Sequence, residues 1–294
     1  MIVGHNSRRL QPSLVPRLSY STASAWLPVK ELPDGQLRTF RSEAFIPSKP
    51  ILLPRKHFLK LPAAQKWFVR PRDGLSELAL NCSYLEQFGD SIVPLEFTRF
   101  DSGDQSTFNR AEAPLHIFLQ WTDLATPSSA NRLYLAQASL SSLPKALADD
   151  LPTPELVSKA GTGDVYDANI WMGIPPTYTP LHRDPNPNLF VQLAGAKVVR
   201  IVEPEAGDRI FARVQNILGR SDSAAFRGDS MMKGQEKKLL DAEVWGGASQ
   251  AEGREVGYEV SIEAGDGLFV PKGWWHSIKG VGKGITASVN WWFR

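Results

Sequence analysis

Three residues of this chain have the types and the spacing of a metal site. In YTPLHRDPNPNLFVQL (178–193), His182 and Asp184 lie two positions apart. Side chains at positions i and i+2 of an extended segment project to the same face, so an imidazole and a carboxylate can meet one ion there. A third ligand must come from another strand, and the candidate is His276 in VPKGWWHSI (270–278). Two histidines and one carboxylate that leave other positions open form the ligand set of non-haem iron(II) oxygenases.

Either half of this pattern has a purely structural explanation when it is taken alone. A surface turn such as HRDPNPN (182–188) contains His-x-Asp without any metal. His276 lies beside Trp274 and Trp275, where a hydrogen-bonded core histidine is an equally simple reading. Matches to short motifs often fail for such reasons. The metal-site prediction therefore depends on the two halves together.

The surrounding sequence predicts strands that would carry these side chains. Short apolar runs bounded by Pro, Gly and Asp indicate strands rather than long helices. In the second half of the chain these runs are ANIWMG (168–173), NLFVQL (188–193), KVVRIV (197–202), YEVSIE (258–263), GLFVP (267–271), HSIKG (276–280) and ITASVNWWF (285–293). In the first half they are AFIP (44–47), ILLP (51–54), SIVPLEF (91–97) and HIFLQW (116–121). Many short strands at close spacing predict a sandwich or a barrel.

Helices and one long polar segment complete the predicted elements. The helical stretches are predicted at 62–68, 75–87, 142–149 and 207–219. Residues 221–257 are polar and rich in glycine, with only a short helical possibility at 234–242. A loop of that length inside a compact domain is either functional or mobile. We expect this segment and region 98–115 to shape substrate access, because loops beside a rigid scaffold carry specificity.

The composition excludes several classes of protein. The chain has 294 residues, of which 42% are hydrophobic, and it has no run of 18 apolar residues that could span a membrane. Its one cysteine, Cys82, excludes an intrachain disulfide and a cysteine-based metal cluster. The net charge is +2, but residues 1–30 carry four basic residues and no acid. The rest of the chain is therefore slightly acidic, which argues against a general nucleic-acid-binding surface.

The first 30 residues have the composition of a targeting segment. They contain arginines, no acids and the hydroxyl-rich run SYSTAS (19–24), as mitochondrial transit peptides do. The alternative is a disordered tail, because Pro12 and Pro16 weaken the amphipathic helix that an import signal needs. We predict a mitochondrial location, with the cytosol or the nucleus as the alternative.

Two long segments of the chain resemble a known family. TPLHRDPNPNLFVQLAGAKVVRIVEP (179–204) and EAGDGLFVPKGWWHSIKGVGKGITASVNWWF (263–293) resemble the two halves of a Jumonji C (JmjC) cupin-like oxygenase. Within that family the similarity is to the group that contains the asparaginyl hydroxylase inhibiting hypoxia-inducible factor, and to small JmjC hydroxylases of proteins and transfer RNA. The shared motifs are HxD, a lysine thirteen residues after that Asp, GD-x-LFVP-x-GWWH and a late SVNWW. The match covers much of 165–293, and residues 44–54 and 132–137 show a weaker similarity to the family.

The resemblance implies a fold and a set of site residues. The fold is mainly β, a double-stranded β-helix (jelly-roll or cupin) barrel with flanking helices, over residues 36–294. The implied cofactors are iron(II), 2-oxoglutarate as cosubstrate and dioxygen. His182, Asp184 and His276 match the iron ligands. The positions that match cosubstrate-binding residues are Lys197 and Thr179 at the distal carboxylate, Tyr134 as a phenol donor, and Asn188 and Asn290 near the metal.

The sequence around Lys197 supports this assignment independently of the resemblance. Alternation in KVVRIV places Lys197, Val199 and Ile201 on one face of a strand. A lysine among aliphatic side chains is costly unless it has an anionic partner, which a dicarboxylate supplies. The alternative is a lysine at the mouth of the strand whose long stem reaches water.

The tryptophans near the carboxyl terminus fit the wall of the barrel. We assign this role to Trp274, Trp275, Trp291 and Trp292, and we expect His276 alone to face the metal.

The function implied by the resemblance is hydroxylation of a protein or RNA substrate, rather than demethylation. One alternative is a catalytically silent JmjC-fold protein that binds or acts as a scaffold. A metal-binding cupin of another class is a minor alternative, because such proteins usually supply three His and a Glu, and this chain has no HxH. The chain ends at Arg294, before the helices that dimerise the asparaginyl hydroxylase, so the oligomeric state stays open.

Overall fold

Two sheets with facing inner surfaces form the centre of this protein. The structure is a computed structural model that describes residues 26–70, 77–101, 105–124, 130–219, 232, 234–246 and 257–294. One sheet has five strands and the other has eight, and a separate pair of short strands lies outside both.

The strands and helices are short, as the frequent punctuation of the sequence predicts. The strands are β1 (Trp26–Pro28), β2 (Ile51–Leu52), β3 (Phe68–Val69), β4 (Ala79–Leu80), β5 (Ile92–Asp101), β6 (Gln105–Pro114), β7 (Asn131–Ser139), β8 (Val165–Gly173), β9 (Thr177–Arg183), β10 (Asn188–Ala194), β11 (Ala196–Val202), β12 (Gly257–Glu263), β13 (Gly267–Val270), β14 (Trp275–Val281) and β15 (Thr286–Phe293). The α-helices are α1 (Leu37–Phe40), α2 (Pro62–Lys66), α3 (Cys82–Leu85), α4 (Leu115–Leu124), α5 (Lys145–Asp149), α6 (Glu155–Ala160), α7 (Pro204–Leu218) and α8 (Gly234–Trp245). A π-helical turn (Arg41–Phe45) and two 3₁₀ turns (Glu86–Phe88 and Leu140–Ser142) extend or connect them.

From β8 onwards the chain alternates between the two large sheets, except that β11 and β12 lie in the same sheet. The five-stranded sheet has the order β1-β12-β11-β14-β9, and the eight-stranded sheet has the order β2-β13-β10-β15-β8-β7-β5-β6. Neighbouring strands are antiparallel except for β1, which pairs in parallel with β12. Consecutive strands such as β9, β10 and β11 therefore lie in opposite sheets. This is the wound arrangement of a jelly roll, and it confirms the predicted mainly β fold with flanking helices.

Strand β15 shows why the space between the sheets is polar at one end. One of its faces is apolar and packs against the helices that cover the eight-stranded sheet: Ala287, Val289, Trp291 and Phe293. The opposite face points towards the five-stranded sheet and carries Ser288, Asn290 and Trp292. Helices α7 and α8 cover the outer face of the five-stranded sheet in the same way, around the buried ring of Trp275. Both sheets are thus covered on the outside, and polar side chains are left to face each other inside.

The predicted strands of the second half are confirmed, and two of the first half are wrong. Each of the seven later runs coincides with one of the strands β8 and β10–β15, and 51–54 and 91–97 correspond to β2 and β5. The run 116–121 instead lies in α4, whose buried residues Leu115, Phe118 and Leu119 have the spacing of a helix face. The run 44–47 begins in the π-helical turn, where Phe40 and Ala44 are buried one turn apart. Both runs are too short for their periodicity to separate the two states.

Most of the predicted helical stretches are also confirmed, and one is wrong in part. The stretches 62–68, 142–149 and 207–219 contain or overlap α2, α5 and α7. The stretch 75–87 contains α3, but Ala79–Leu80 is strand β4, and residues 75 and 76 lie outside the described part. Within 221–257, α8 runs to Trp245, three residues beyond the predicted helix; much of the rest of that segment lies outside the described residues.

The segment predicted as a leader or a tail is described only from residue 26. Trp26–Pro28 forms β1, and Val29 is buried in the core. The residues before it lie outside the described part, so the mitochondrial location stays a prediction. None of the helices in the described ranges has the length and apolarity to cross a membrane.

We predict that Asp150→Ala lowers the free energy of unfolding by about 2–4 kcal/mol, because it leaves buried donors without an acceptor. The Asp150 carboxylate accepts hydrogen bonds from Trp67 Nε1 (2.8 Å) and Tyr84 Oη (2.6 Å). It also forms an ion pair with Lys66. Urea unfolding measures the change. The matched control is Asp149→Asn, at an exposed carboxylate next in sequence, for which we expect a change within about 0.5 kcal/mol.

We predict that the contribution of the Asp150 carboxylate to the free energy of unfolding is lost in acid. Burial acts to raise the pKa of Asp150, but the donors from Lys66, Tyr84 and Trp67 outweigh it and lower this pKa from its ordinary 3.8. The stabilisation is therefore complete above pH 3.8 and is lost as the pH falls through the lowered value. The difference in unfolding free energy between wild type and Asp150→Asn should shrink below this pH; a difference that stays constant would contradict the assignment.

Candidate metal and cosubstrate site

Pairing between β9 and β14 brings the three candidate ligands together. His182 and His276 are directly opposite each other in this antiparallel pair, and Asp184 follows β9 by one residue. The ligand atoms of the three side chains all lie within 4.8 Å of one another. Asp184 Oδ1 is 3.9 Å from His182 Nε2, and Asp184 Oδ2 is 3.6 Å from His276 Nε2. All three side chains are buried.

Backbone carbonyls orient the two imidazole rings. His182 Nδ1 lies 2.8 Å from the Pro180 carbonyl oxygen, and His276 Nδ1 lies 3.2 Å from that of Trp274. A carbonyl oxygen only accepts hydrogen bonds, so this network assigns the proton of each neutral ring to Nδ1. Each Nε2 then keeps a lone pair that points towards Asp184. Metal-binding histidines are commonly fixed by such a bond from the other ring nitrogen.

The Asp184 carboxylate is held by two donors on its other side. Asn188 Nδ2 and Trp292 Nε1 both donate to Asp184 Oδ2, at 3.0 and 2.8 Å. Burial acts to raise the pKa of Asp184, but the neighbouring histidines and these two donors outweigh it and lower this pKa. The carboxylate is therefore ionised at neutral pH.

His182 is unprotonated at neutral pH. Burial, followed by the positive charge that His276 can carry, lowers the pKa of His182 to about 4. The Nε2 atoms of His182 and His276 lie 3.9 and 3.6 Å from the oxygens of the ionised Asp184 carboxylate, too far for hydrogen bonds to it. Such a cluster of electron-pair donors is unfavourable without a cation between them. Two imidazole nitrogens and one carboxylate oxygen fit a divalent transition metal.

Lys197 lies on the opposite wall of the same cavity. Its side chain is 2% exposed, and Nζ donates a hydrogen bond to Ser288 Oγ at 2.7 Å and approaches Tyr134 Oη at 3.5 Å. The ammonium also lies 5.1 Å from the centre of the Phe190 ring. No carboxylate of the described residues forms an ion pair with it, and burial lowers its pKa to about 7. A buried ammonium with this surrounding fits an anionic ligand that is not part of the chain.

The remaining predicted residues line the space between the metal ligands and Lys197. Thr179, Tyr134, Asn188 and Asn290 all border this cavity. Asn290 Oδ1 accepts a hydrogen bond from Trp171 Nε1 at 2.7 Å. Asn188 Oδ1 is buried and has no partner among the described residues, so it is available to a donor on a bound molecule. The structure thus brings all eight predicted positions to one cavity, while their individual roles stay predictions.

The position of the Tyr134 ring depends on a glycine in the neighbouring strand. The Tyr134 phenol hydrogen bonds to the Thr177 side chain, and burial raises its pKa, so it stays protonated. A Cβ atom on Gly173, which is opposite Tyr134 in the pairing of β7 with β8, would lie 2.4 Å from the Tyr134 ring. Only glycine at this position leaves the ring its place beside the ammonium of Lys197.

Several residues of the site were missed by sequence reasoning. Trp292, assigned above to the wall of the barrel together with Trp274, Trp275 and Trp291, instead donates to the metal-ligating carboxylate, so His276 is not alone in facing that centre. The other three tryptophans are buried among apolar side chains. The missed lining residues also include Trp171, Phe190, Thr177 and Ile278, and the partner of Lys197, Ser288, was missed as well. Alternation along SVNWW could have found two of them, because Ser288 and Trp292 share a strand face with Asn290.

Comparison with known proteins identifies related chains. The model of the cupin-like domain family matches residues 38–294. Jumonji C domain-containing protein 5 of Drosophila melanogaster is 27% identical over 96% of this chain and 63% of its own length. Lysine-specific demethylase JMJ30 of Arabidopsis thaliana is 23% identical over 87% of this chain and 52% of its own, and lysine-specific demethylase 8 of Xenopus tropicalis is 24% identical over 98% and 56%. This chain therefore spans between about half and two thirds of these relatives.

We predict that Asn188→Ala weakens metal binding by about 10–100-fold, the usual cost of removing a residue that orients a metal ligand. The loss of the Asn188 amide frees Asp184 to rotate and removes one of the two donors that keep it ionised. Competition with a chelator measures the affinity for iron(II) or cobalt(II). Trp292→Phe removes the other donor while keeping an aromatic ring, and it should weaken binding in the same direction. Unchanged affinity in both variants would contradict this role.

Proposed function

The chain belongs to the cupin-like domain family, and on this basis we propose that it is an iron(II)- and 2-oxoglutarate-dependent oxygenase that hydroxylates a protein or RNA substrate. One observation carries the proposal. A single cavity has three metal-ligating side chains on one wall and a buried ammonium without a carboxylate partner in the described chain on the other. A dicarboxylate that chelates the metal with its keto-acid end and reaches the ammonium with its other end fits both features.

His182, Asp184 and His276 would hold the iron. When bound, iron(II) supplies dioxygen activation and the oxidation of a substrate C–H bond, coupled to conversion of 2-oxoglutarate into succinate and carbon dioxide. The chain's own contribution is to present three fixed ligand atoms and to leave the remaining positions open.

Lys197 would hold the distal carboxylate. Its ammonium already donates to Ser288 Oγ, lies within reach of Tyr134 Oη, and sits against the ring of Phe190. These neighbours restrict the lysine without neutralising it, so its charge is compensated only by the ligand. A carboxylate placed between them can accept a charge-assisted hydrogen bond from the Lys197 ammonium and a second hydrogen bond from the Tyr134 phenol.

Aromatic side chains would keep water from the reacting end. Trp171 and Trp292 border both this cavity and the larger cleft outside it. Their rings are half-buried. Trp171 Nε1 donates a hydrogen bond to Asn290, and Trp292 Nε1 donates one to Asp184. They therefore present apolar faces to a substrate that enters between them.

The choice of hydroxylation over demethylation rests on the similarity to small JmjC hydroxylases. The plant and frog relatives carry the name lysine-specific demethylase, which describes those proteins. Both outcomes require oxidation of a C–H bond, and they differ in the product. Mass spectrometry of the substrate separates them, because hydroxylation adds one oxygen atom, whereas demethylation removes a methyl group and releases formaldehyde.

We predict that anaerobic addition of iron(II) and then 2-oxoglutarate produces a weak visible charge-transfer absorption band, and that oxygen then releases succinate. The band reports chelation of the metal by the keto acid, which requires all three ligands. Asp184→Ala should lose both signals, and Asp149→Asn, far along the chain at an exposed position, should keep both. Absence of both signals in the wild type would overturn the oxygenase and favour a silent binding protein.

A second prediction concerns the pH dependence of cosubstrate binding. The pKa of Lys197 in the free protein is about 7, and only the protonated amine attracts a carboxylate. The affinity for 2-oxoglutarate should therefore fall as the pH rises above this value, by up to about tenfold per unit. Calorimetry with the iron- or manganese-loaded protein measures the dissociation constant.

The control for this prediction is Lys197→Met, which keeps the stem and removes the charge. It should bind 2-oxoglutarate more weakly at pH 6 to 7 and lose the pH dependence, while its metal affinity stays close to that of the wild type. A variant that retains the wild-type profile would show that another group is responsible.

A further inference from the structure

The cleft outside the metal cavity carries a recognition group of its own. We propose that this cleft binds a polypeptide in which a basic residue flanks the oxidised residue, and that Asp167 holds that basic side chain. The inference rests on the proposed function, because it assigns the substrate class of the same site and selects protein over RNA.

The cleft opens directly onto the metal ligands. Its lining includes His182 and Asp184 together with Trp171 and Trp292. A molecule bound in it therefore lies against the open side of the metal site. Asp167 and Tyr166, on β8, form part of the same lining.

Asp167 is oriented but not neutralised. Its Oδ1 accepts hydrogen bonds from Ser139 Oγ at 2.9 Å and from the backbone N–H of Ala168 at 2.8 Å. No described residue forms an ion pair with this carboxylate or donates to its Oδ2. The residue opposite Asp167 in the pairing of β8 with β15 is Trp292, so the carboxylate lies at the aromatic edge of the cleft.

The basic residues around the cleft are already engaged or point to solvent. Arg183 donates to Asp208 at 2.9 and 3.3 Å. Arg294 donates to Asn186 and lies 3.8 Å from Asp164. Lys272 is exposed at the rim. Outside the metal ligands, Asp167 is therefore the acidic side chain of the described cleft lining that has no ion-pair partner.

The aromatic walls favour the same kind of group. Tyr166, Trp171 and Trp292 line the cleft with Asp167, and the faces of aromatic rings attract cations. The ring of Tyr166 already receives one such contact, from the Arg294 guanidinium at 5.9 Å. A lysine or arginine side chain gains both attractions in this cleft, whereas the phosphates of RNA are repelled by the carboxylate.

Gln137 gives the cleft a side-chain amide that can pair with a peptide backbone. It lies at an irregularity in the pairing of β7 with β8, with a φ of 58°, in the left-handed region that glycine favours. A non-glycine residue there is strained, and such strain concentrates at ligand-binding positions. Gln137 borders both the cleft and a neighbouring groove that contains Arg110 and Glu112. Its side-chain amide can donate to a peptide carbonyl and accept from a peptide N–H, as an extended chain crossing from cleft to groove requires.

A charge-swap selection tests the proposal. The protein, loaded anaerobically with iron(II) and 2-oxoglutarate, is used to select from a randomised peptide library and, in parallel, from a randomised RNA library. We expect the wild type to enrich Lys or Arg about tenfold at one fixed offset in the selected peptides, the size of effect expected for a close ion pair across an interface. Asp167→Asn should lose this preference, and Asp167→Lys should reverse it to Asp or Glu.

Two controls show that a change in peptide preference comes from recognition and not from loss of folding or a general loss of negative charge. Asp167→Asn retains an acceptor for Ser139, and thermal unfolding verifies that it folds. Glu155→Gln, at an exposed carboxylate on α6, should keep the wild-type peptide preference. Peptides without a basic preference, an unchanged preference in Asp167→Lys, no selected peptide, or selection of RNA instead would each overturn the proposal.

The failure of this inference is distinguishable from the failure of the proposed function. If iron(II) and 2-oxoglutarate give the charge-transfer band and succinate, but the library shows no charge preference, only the role of Asp167 fails. If the band and succinate are both absent, the oxygenase proposal fails, and this inference fails with it.

Discussion

One cavity of this protein has uncompensated charge on two facing walls. On one wall, two imidazole rings and the Asp184 carboxylate face each other; on the other, the Lys197 ammonium is buried without a carboxylate partner among the described residues. Each arrangement costs free energy in a dry interior. A metal cation relieves the first and a dicarboxylate relieves the second. The fold holds in place a site that is complete only with its ligands.

The two sheets tolerate this cost because their other faces are strongly apolar. Strand β15 places Trp291 and Phe293 in a large core under the helices, while the intervening residues turn Asn290 and Trp292 towards the cavity. Helices α7 and α8 bury the outer face of the opposite sheet. Each wall of the cavity is thus fixed from behind by hydrophobic packing. This lets polar side chains stay in one geometry without a ligand, which is how protein sites are preorganised.

The cavity and the cleft outside it differ in how they use polar groups. Inside the cavity, the Asp184, Lys197 and Asn290 side chains are each held by a hydrogen bond to a neighbour. In the cleft, Asp167 keeps one oxygen free and Gln137 stands at a strained backbone position. The first arrangement suits two small ligands of fixed shape. The second suits a larger partner that varies in sequence and must be recognised by a few contacts.

Local patterns of the sequence were enough to indicate the metal ligands, the later strands and the inward face that carries Lys197. These features depend on the period-two alternation of strands and on His-x-Asp, both of which are local. The resemblance to the JmjC family added the remaining site positions. Tertiary structure alone decided that 116–121 is helical, that residues 26–28 form an edge strand, and that Trp292 binds the Asp184 carboxylate rather than the barrel core. The reason is physical: a tryptophan, or a short apolar run, is compatible with more than one environment. Which one it takes depends on tertiary partners, and for Trp292 that partner is Asp184, 108 positions away.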